Sequence, residues 1–149
     1  MPKWIWIVAA AAALFAYQQR QPDTTPPQTQ TTVTANAADS DNRLQTAFKR
    51  QQNDVQIEGR GKVLKTLPDD NKGSRHQLFI LKLDSGQTLL VAHNIDLAPK
   101  IKGLKKGDEV AFFGEYEWSK QGGVIHWTHH DPQGRHADGW LKHNGKIYQ

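Results

Sequence analysis

From Val55 onward, apolar and polar positions alternate with a period of two in short runs, with glycines and turn residues between them. That pattern predicts half-buried β-strands. Five runs carry it: Val55–Leu67, Arg75–Leu83, Thr88–Asn94, Glu109–Trp118 and Val124–His130. In the fourth, Val110, Phe112, Gly114, Tyr116 and Trp118 fall on one face. Gly59 and Gly61 interrupt the first, as a bulge or sharp bend in a curved strand would require. Ile95–Asp108 is a connector, with one helical turn around Leu97–Ile101. Ahead of the strands, Leu44, Ala47, Phe48 and Gln51 recur at helical spacing behind the capping residues Asp39, Ser40 and Asp41. They predict a short amphipathic helix that ends at Asn53-Asp54. At the other end, Asn144-Gly145 between Trp140–His143 and Lys146–Tyr148 predicts a hairpin.

The order of these elements predicts an all-β fold. It is a five-stranded OB-like Greek-key barrel over residues 41–149, with a short N-terminal helix and an added C-terminal β-hairpin. A β-sandwich needs more strands, roughly seven. An SH3-like barrel is the closer rival.

The first forty residues read differently. One early lysine, Lys3, precedes fourteen uncharged residues from Trp4 to Tyr17, and Arg20 follows. This is the pattern of a signal peptide or short N-terminal membrane anchor over residues 1–20. It is shorter than the roughly 20 residues of a comfortable span. Residues 21–40 are rich in Gln, Thr, Pro and Ala with almost no large apolar side chains, and predict a disordered linker. The expected location is therefore extracytoplasmic (periplasmic), either exported or tethered to the inner membrane.

Composition narrows the chemistry. The chain of 149 residues has no cysteine, which excludes disulfides, thiolate metal sites, a cysteine nucleophile and a lipoprotein anchor. A net charge of +4 mildly favours acidic partners. Arg60, Lys62, Arg75 and His76, with Trp118 as a stacking surface, form a candidate ligand-binding set on the first strands and the fourth. OB barrels bind oligonucleotides or oligosaccharides on the face of strands two and three, with loops at its edges. Candidate partners are thus a polyanion, an oligosaccharide or an envelope protein.

Four of the seven histidines fall within His126–His136, in "HWTHHDPQGRH". Neutral imidazole with a carboxylate is a common ligand set for a divalent metal such as zinc. The candidate ligands are His126, His129, His130, Asp131 and His136. In a regular strand His126 and His130 share a face but lie about 13 Å apart, too far for one ion. A turn at Asp131-Pro132 would have to gather His130, Asp131 and His136, with His126 or His129 added. The bland reading is that these histidines bond Asp131, Asp138 and backbone carbonyls only to order a loop. A metal-dependent hydrolase such as a phosphodiesterase or nuclease is the alternative function. No Ser-His-Asp elbow or phosphate-cradling glycine loop is present.

The residues from about Gln56 to Gln149, with "LPDDNKGSRHQLFILKLDSGQTLL", "AHNIDLAP" and "HWTHHDPQGRHADGWLKHNGKIY", resemble a family of small exported bacterial proteins known as a domain of unknown function. The resemblance implies export and an OB-like barrel. It implies no activity. The function expected is a ligand-binding module of open specificity with a His/Asp metal site.

Overall fold

Helix α1 spans Thr31–Lys49 in the computed structural model, which describes residues 31–149. Leu44 and Ala47 are buried, as their spacing requires, whereas Gln51 is exposed. The helix ends in a Schellman motif. Gln52 N–H reaches the Ala47 carbonyl at 2.9 Å and Gln51 N–H the Phe48 carbonyl at 3.1 Å, with Gln51 left-handed at φ 51°. The helix is longer than its apolar pattern predicts. Residues 31–40, assigned by composition to a disordered linker, are helical, and the expected caps Asp39, Ser40 and Asp41 lie inside the helix. Packing of Leu44 and Ala47 supplies the costly nucleus, from which the helix propagates back through residues 31–40. The expected export segment lies outside the described residues. No helix among those described is long and apolar enough to cross a membrane.

Seven strands follow. They are β1 (Val55–Asp70), β2 (His76–Lys82), β3 (Thr88–Asn94), β4 (Glu109–Glu117), β5 (Val124–His126), β6 (Trp140–His143) and β7 (Lys146–Tyr148). The sheet order is β1-β2-β3-β5-β4-β6-β7, and an extra β1–β4 pairing closes the first five strands into a ring. All neighbours are antiparallel except β3 and β5, which pair Leu90 with Val124 and Val91 with Ile125 in parallel.

Strand β1 closes the ring because it has two partners. Val55–Lys62 pair with β4 and Lys62–Asp70 with β2, so the exchange occurs at Lys62. Irregular register at Val63/Lys65, just after the exchange, bends the strand. Gly59 serves packing instead of a bulge: a Cβ there would stand 2.7 Å from the Phe112 ring.

The interior is filled from alternate positions. Phe79 and Leu81 of β2, Leu89 and Val91 of β3, Val110, Phe112 and Tyr116 of β4, and Ile125 of β5 are each fully buried. Leu44 of α1 and Leu141 of β6 join the same cluster. Phe79 is thus core. Hairpin β6–β7 extends β4 through Ala111, Phe112 and Phe113, and its turn places Asn144 at φ 50° and Gly145 at φ 78°. Two successive positive φ values make the two-residue turn that Asn-Gly favours.

Strand β1 runs three residues beyond its expected end, to Asp70, but the disagreement at the fifth run matters most. The fifth run was expected to reach His130, but β5 stops at His126. Trp127 takes a left-handed backbone, φ 54°, which breaks the alternation. Thr128 and His129 are consecutive and both buried, as no regular strand permits.

Because Leu44 plugs the core from the helix, Leu44→Ala should destabilise the protein by about 2–5 kcal/mol. Urea unfolding monitored by circular dichroism measures this. A change below about 0.5 kcal/mol, the range of ordinary surface substitutions, would show that α1 is not part of the cooperative unit.

Candidate metal centre

Tyr116 points into the ring, so its neighbours Glu115 and Glu117 point outward on the same face of β4. Register then adds side chains from both sides. Glu115 lies opposite His126 of β5 and opposite Gln56 of β1. Gln56, Glu115 and His126 form a row across three strands, and Glu117 stands two residues along.

The ligand atoms of Glu115, Glu117 and His126 lie within 4.8 Å of one another. His126 Nε2 is 3.7 Å from Glu115 Oε1 and 3.5 Å from Glu117 Oε1. These exceed hydrogen-bond distances of about 2.7–3.2 Å. They match the separation of about 3.4 Å between donors that share one tetrahedral ion through bonds of about 2.1 Å. His126 Nε2 is shut off from solvent and has no hydrogen-bond partner; Gln56 Nε2, in the same row, is in the same condition.

The charges are uneven. Burial pushes the Glu117 carboxyl up to about 7, with the neighbouring Glu115 and Asp54 carboxyls acting in the same direction. Burial also acts upward on Glu115, but hydrogen bonding, above all from His136, outweighs it and holds that carboxyl below its ordinary value. His126 is lowered by burial, partly offset by Glu115. The two carboxyls are thus pushed in opposite directions, Glu117 up and Glu115 down. The backbone N–H of Asp54, at the turn between α1 and β1, donates to Glu117 Oε1 at 3.3 Å and fixes that side chain.

His136 reaches the same carboxylate from the loop between β5 and β6. Its Nε2 contacts Glu115 Oε2, its Nδ1–H donates to the Ala137 carbonyl at 2.9 Å, and its ring stacks on Trp127 at 4.1 Å and 9°. The other histidines expected at a metal site are used up elsewhere. His129 is buried and bonds the His130 carbonyl through Nδ1 at 2.7 Å. His130 is exposed and pairs with Asp138 at 3.1 Å. Asp131 accepts the backbone N–H groups of Gln133, Arg135 and His136 at 2.8–2.9 Å, so its carboxylate orders the loop.

Of the five candidate ligands, then, His126 and His136 converge on Glu115, while His129, His130 and Asp131 brace the loop. The turn at Asp131-Pro132 does not gather His130, Asp131 and His136 around a point. Gly139 clamps the far end of the loop. Its N–H bonds the His129 carbonyl at 3.0 Å, and a Cβ there would lie 1.9 Å from the Trp127 carbonyl oxygen.

The family model described as a protein of unknown function, DUF3465, matches residues 28–149, most of the chain. The chain belongs to the DUF3465 family. No curated protein matches it. The DUF3465 match extends well before Gln56, where the resemblance by motif begins, and takes in the whole of α1.

The DUF3465 region does not bring the basic candidates into one patch. Arg60 lies 3.8 Å from Glu109 near the partner exchange of β1, with Lys62 exposed beside it. Arg75 and His76 sit at the start of β2, where His76 pairs with Asp70, ten residues along β1 from Arg60. Arg75 is held by Asp96 at 2.7 Å, and His76 Nδ1–H donates to the Ser74 carbonyl at 2.9 Å. Trp118 packs against the core. Glu115 and Glu117 were not among the candidates read from the sequence. Their i, i+2 spacing around an inward aromatic was the available signal, but their facing histidine depends on register.

Beneath the loop, His93 is wholly buried. Its Nδ1 accepts from the Thr128 hydroxyl at 2.7 Å and its Nε2–H donates to the Pro99 carbonyl at 3.0 Å. Burial lowers its pKa from 6.5 to about 4, so the folded protein holds it neutral. The unfolded chain binds the proton more readily, so this contribution to stability is whole above pH 6.5 and is lost as pH falls toward 4. The loss amounts to about 3 kcal/mol. Urea unfolding at a series of pH values should show that decline, and His93→Gln should flatten it. An unchanged slope in the variant would rule out His93 as the cause.

Proposed function

We propose that this chain is an exported or membrane-tethered binding module built on an OB-like Greek-key barrel, and that its site holds a divalent cation between Glu115, Glu117 and His126. The ring order β1-β2-β3-β5-β4, with a long bent first strand shared by both ends, supports the OB-like reading. The charge and apolar pattern of residues 1–20 supports export. The observation that carries the cation is the solvent-excluded Nε2 of His126. It has no hydrogen-bond partner and faces two carboxylates at distances suited to shared ligation.

The organic partner is better sought among oligosaccharides and envelope proteins than among nucleic acids. Arg60, Arg75 and Lys100 are each committed to a carboxylate, and the basic residues are divided between separate regions. Metal-dependent hydrolysis would use the same ion but demands in addition a substrate group facing it. The binding reading needs no such group and is adopted here.

The full-length chain, stripped with a chelator, reloaded with zinc and passed through a desalting column, should retain about one ion per chain by elemental analysis. Glu117→Gln and His126→Ala should each weaken retention by at least the 10–100-fold typical of losing even a supporting group. No retained ion, or retention indifferent to both substitutions, would overturn the proposal. Hydrolysis of bis-p-nitrophenyl phosphate by the loaded protein, abolished by His126→Ala, would favour the hydrolase instead.

A further inference from the structure

The connector after β3 and the loop between β5 and β6 face each other across a cleft of about 550 Å³. It is lined by Leu97 from the connector and by Trp127, Asp131, Pro132, Gln133 and Arg135 from the loop. We infer that this cleft binds an acidic oligosaccharide, with a sugar ring on its apolar wall and a sugar carboxylate on Arg135. This rests on the binding-module reading above and adds to it the place and class of the organic ligand. It does not depend on the cation.

The lining has two characters. Leu97, Trp127 and Pro132 make an apolar wall, and Leu97 is 44 % exposed although it is large. A lone exposed leucine needs no explanation, but one beside an aromatic ring and a proline in a concave site does. Gln133 and Arg135, both exposed, put polar groups at the edge. A ligand seated here keeps one side in water, so it needs an apolar face and a hydrophilic rim. A pyranose has both, with C–H groups on its ring faces and hydroxyl groups around them.

Charge selects an acidic sugar. The Arg135 guanidinium takes part in none of the ion pairs among the described residues, whereas Arg60 and Arg75 each face a carboxylate. Asp131 does not supply its partner. Both Asp131 oxygens accept backbone N–H groups, from Gln133, Arg135 and His136 at 2.8–2.9 Å, and are spent within the loop. A free guanidinium offers paired donors that match a carboxylate.

The cleft is built before any ligand arrives. Beneath it, His93 Nδ1 accepts from the Thr128 hydroxyl at 2.7 Å and His93 Nε2–H donates to the Pro99 carbonyl at 3.0 Å. One buried imidazole thus ties the residue after Trp127 to the connector just beyond Leu97. The His136 ring stacks on Trp127 at 4.1 Å, and Trp127 keeps a left-handed backbone, φ 54°, that a bulky residue adopts only at a cost. Such strain persists where the surroundings over-determine it, and it gathers at ligand sites. Walls fixed in advance reduce the ordering that binding demands.

Titration calorimetry on the full-length chain, with a chelator present, tests the inference. The probes are trimers of galacturonic acid and of mannuronic acid and a hyaluronan tetramer, with maltotriose as the neutral counterpart. At least one acidic oligosaccharide should bind, and maltotriose should bind at least about tenfold more weakly. Arg135→Gln keeps a donor but removes the charge, and should lower the affinity for that acidic sugar about tenfold or more. Leu97→Glu sets a carboxylate on the apolar wall and should weaken binding by a similar factor. Both positions are exposed, and unchanged circular dichroism should show that the variants fold. Arg50→Gln, which removes the same charge on an exposed residue outside the cleft, should change nothing. Maltotriose bound as tightly as the acidic sugars would overturn the acidic class. Acidic sugars bound equally by Arg135→Gln and Leu97→Glu would overturn the cleft and leave the binding-module reading standing. Binding of none of the acidic sugars would overturn the inference, and the binding-module reading would then turn on an envelope protein.

Discussion

The structure depends on the division of β1 between two partners. Sixteen residues of one strand pair first with β4 and then with β2, and this alone turns an open sheet into a ring. Unpaired backbone along an edge is costly when buried and hazardous when exposed, and closure removes both problems for the five central strands. The first half of β1 does more than close the ring. Pairing Val55 with Tyr116 draws the end of α1 against the end of β4, so that Leu44 enters the core and the Asp54 N–H meets Glu117.

That closure determines what stands on the outer face. The inner residues of β4 are large and apolar and lock its register against β1 and β5 through burial. A slip of one residue would carry the apolar set outward. The polar row on the reverse side is therefore held in place by the core behind it. Two half-buried carboxylates side by side are unfavourable, and the protein manages them unevenly. Hydrogen bonding from His136 holds the Glu115 carboxyl below its ordinary value, while burial pushes that of Glu117 up. The same arrangement makes the site receptive to positive charge. Rigid support from the sheet and the clamped loop means that the proposed cation would require little ordering of its ligands.

The loop between β5 and β6 shows how a histidine-rich segment divides its labour. Two of its residues bond neighbours to set the chain path, one carboxylate caps three backbone N–H groups, and one imidazole is left pointing at the sheet. The histidines of the segment thus divide: His129 and His130 order the loop, while His126 and His136 face Glu115. Trp127 is the point of divergence. Its left-handed backbone turns the chain out of β5, and the alternation on which a strand-based estimate relied ends there.

Much of the fold was legible because period-two burial is a local property. Residues 88–94 and the hairpin strands 140–143 and 146–148 end where their patterns and turn residues say they should. The helix was legible only where it touches the core, since its outer turns carry no apolar stripe. The sequence by itself placed the histidines together, but Glu115 and Glu117 were not among its candidate ligands. Which side chains face one another was decided by tertiary structure. Glu115 meets His126 through the register of β4 with β5, and meets His136 through a loop anchored by a positive φ and a close-packed glycine. Register across non-consecutive strands is fixed by the fit of the whole core, and no local pattern along the chain encodes it.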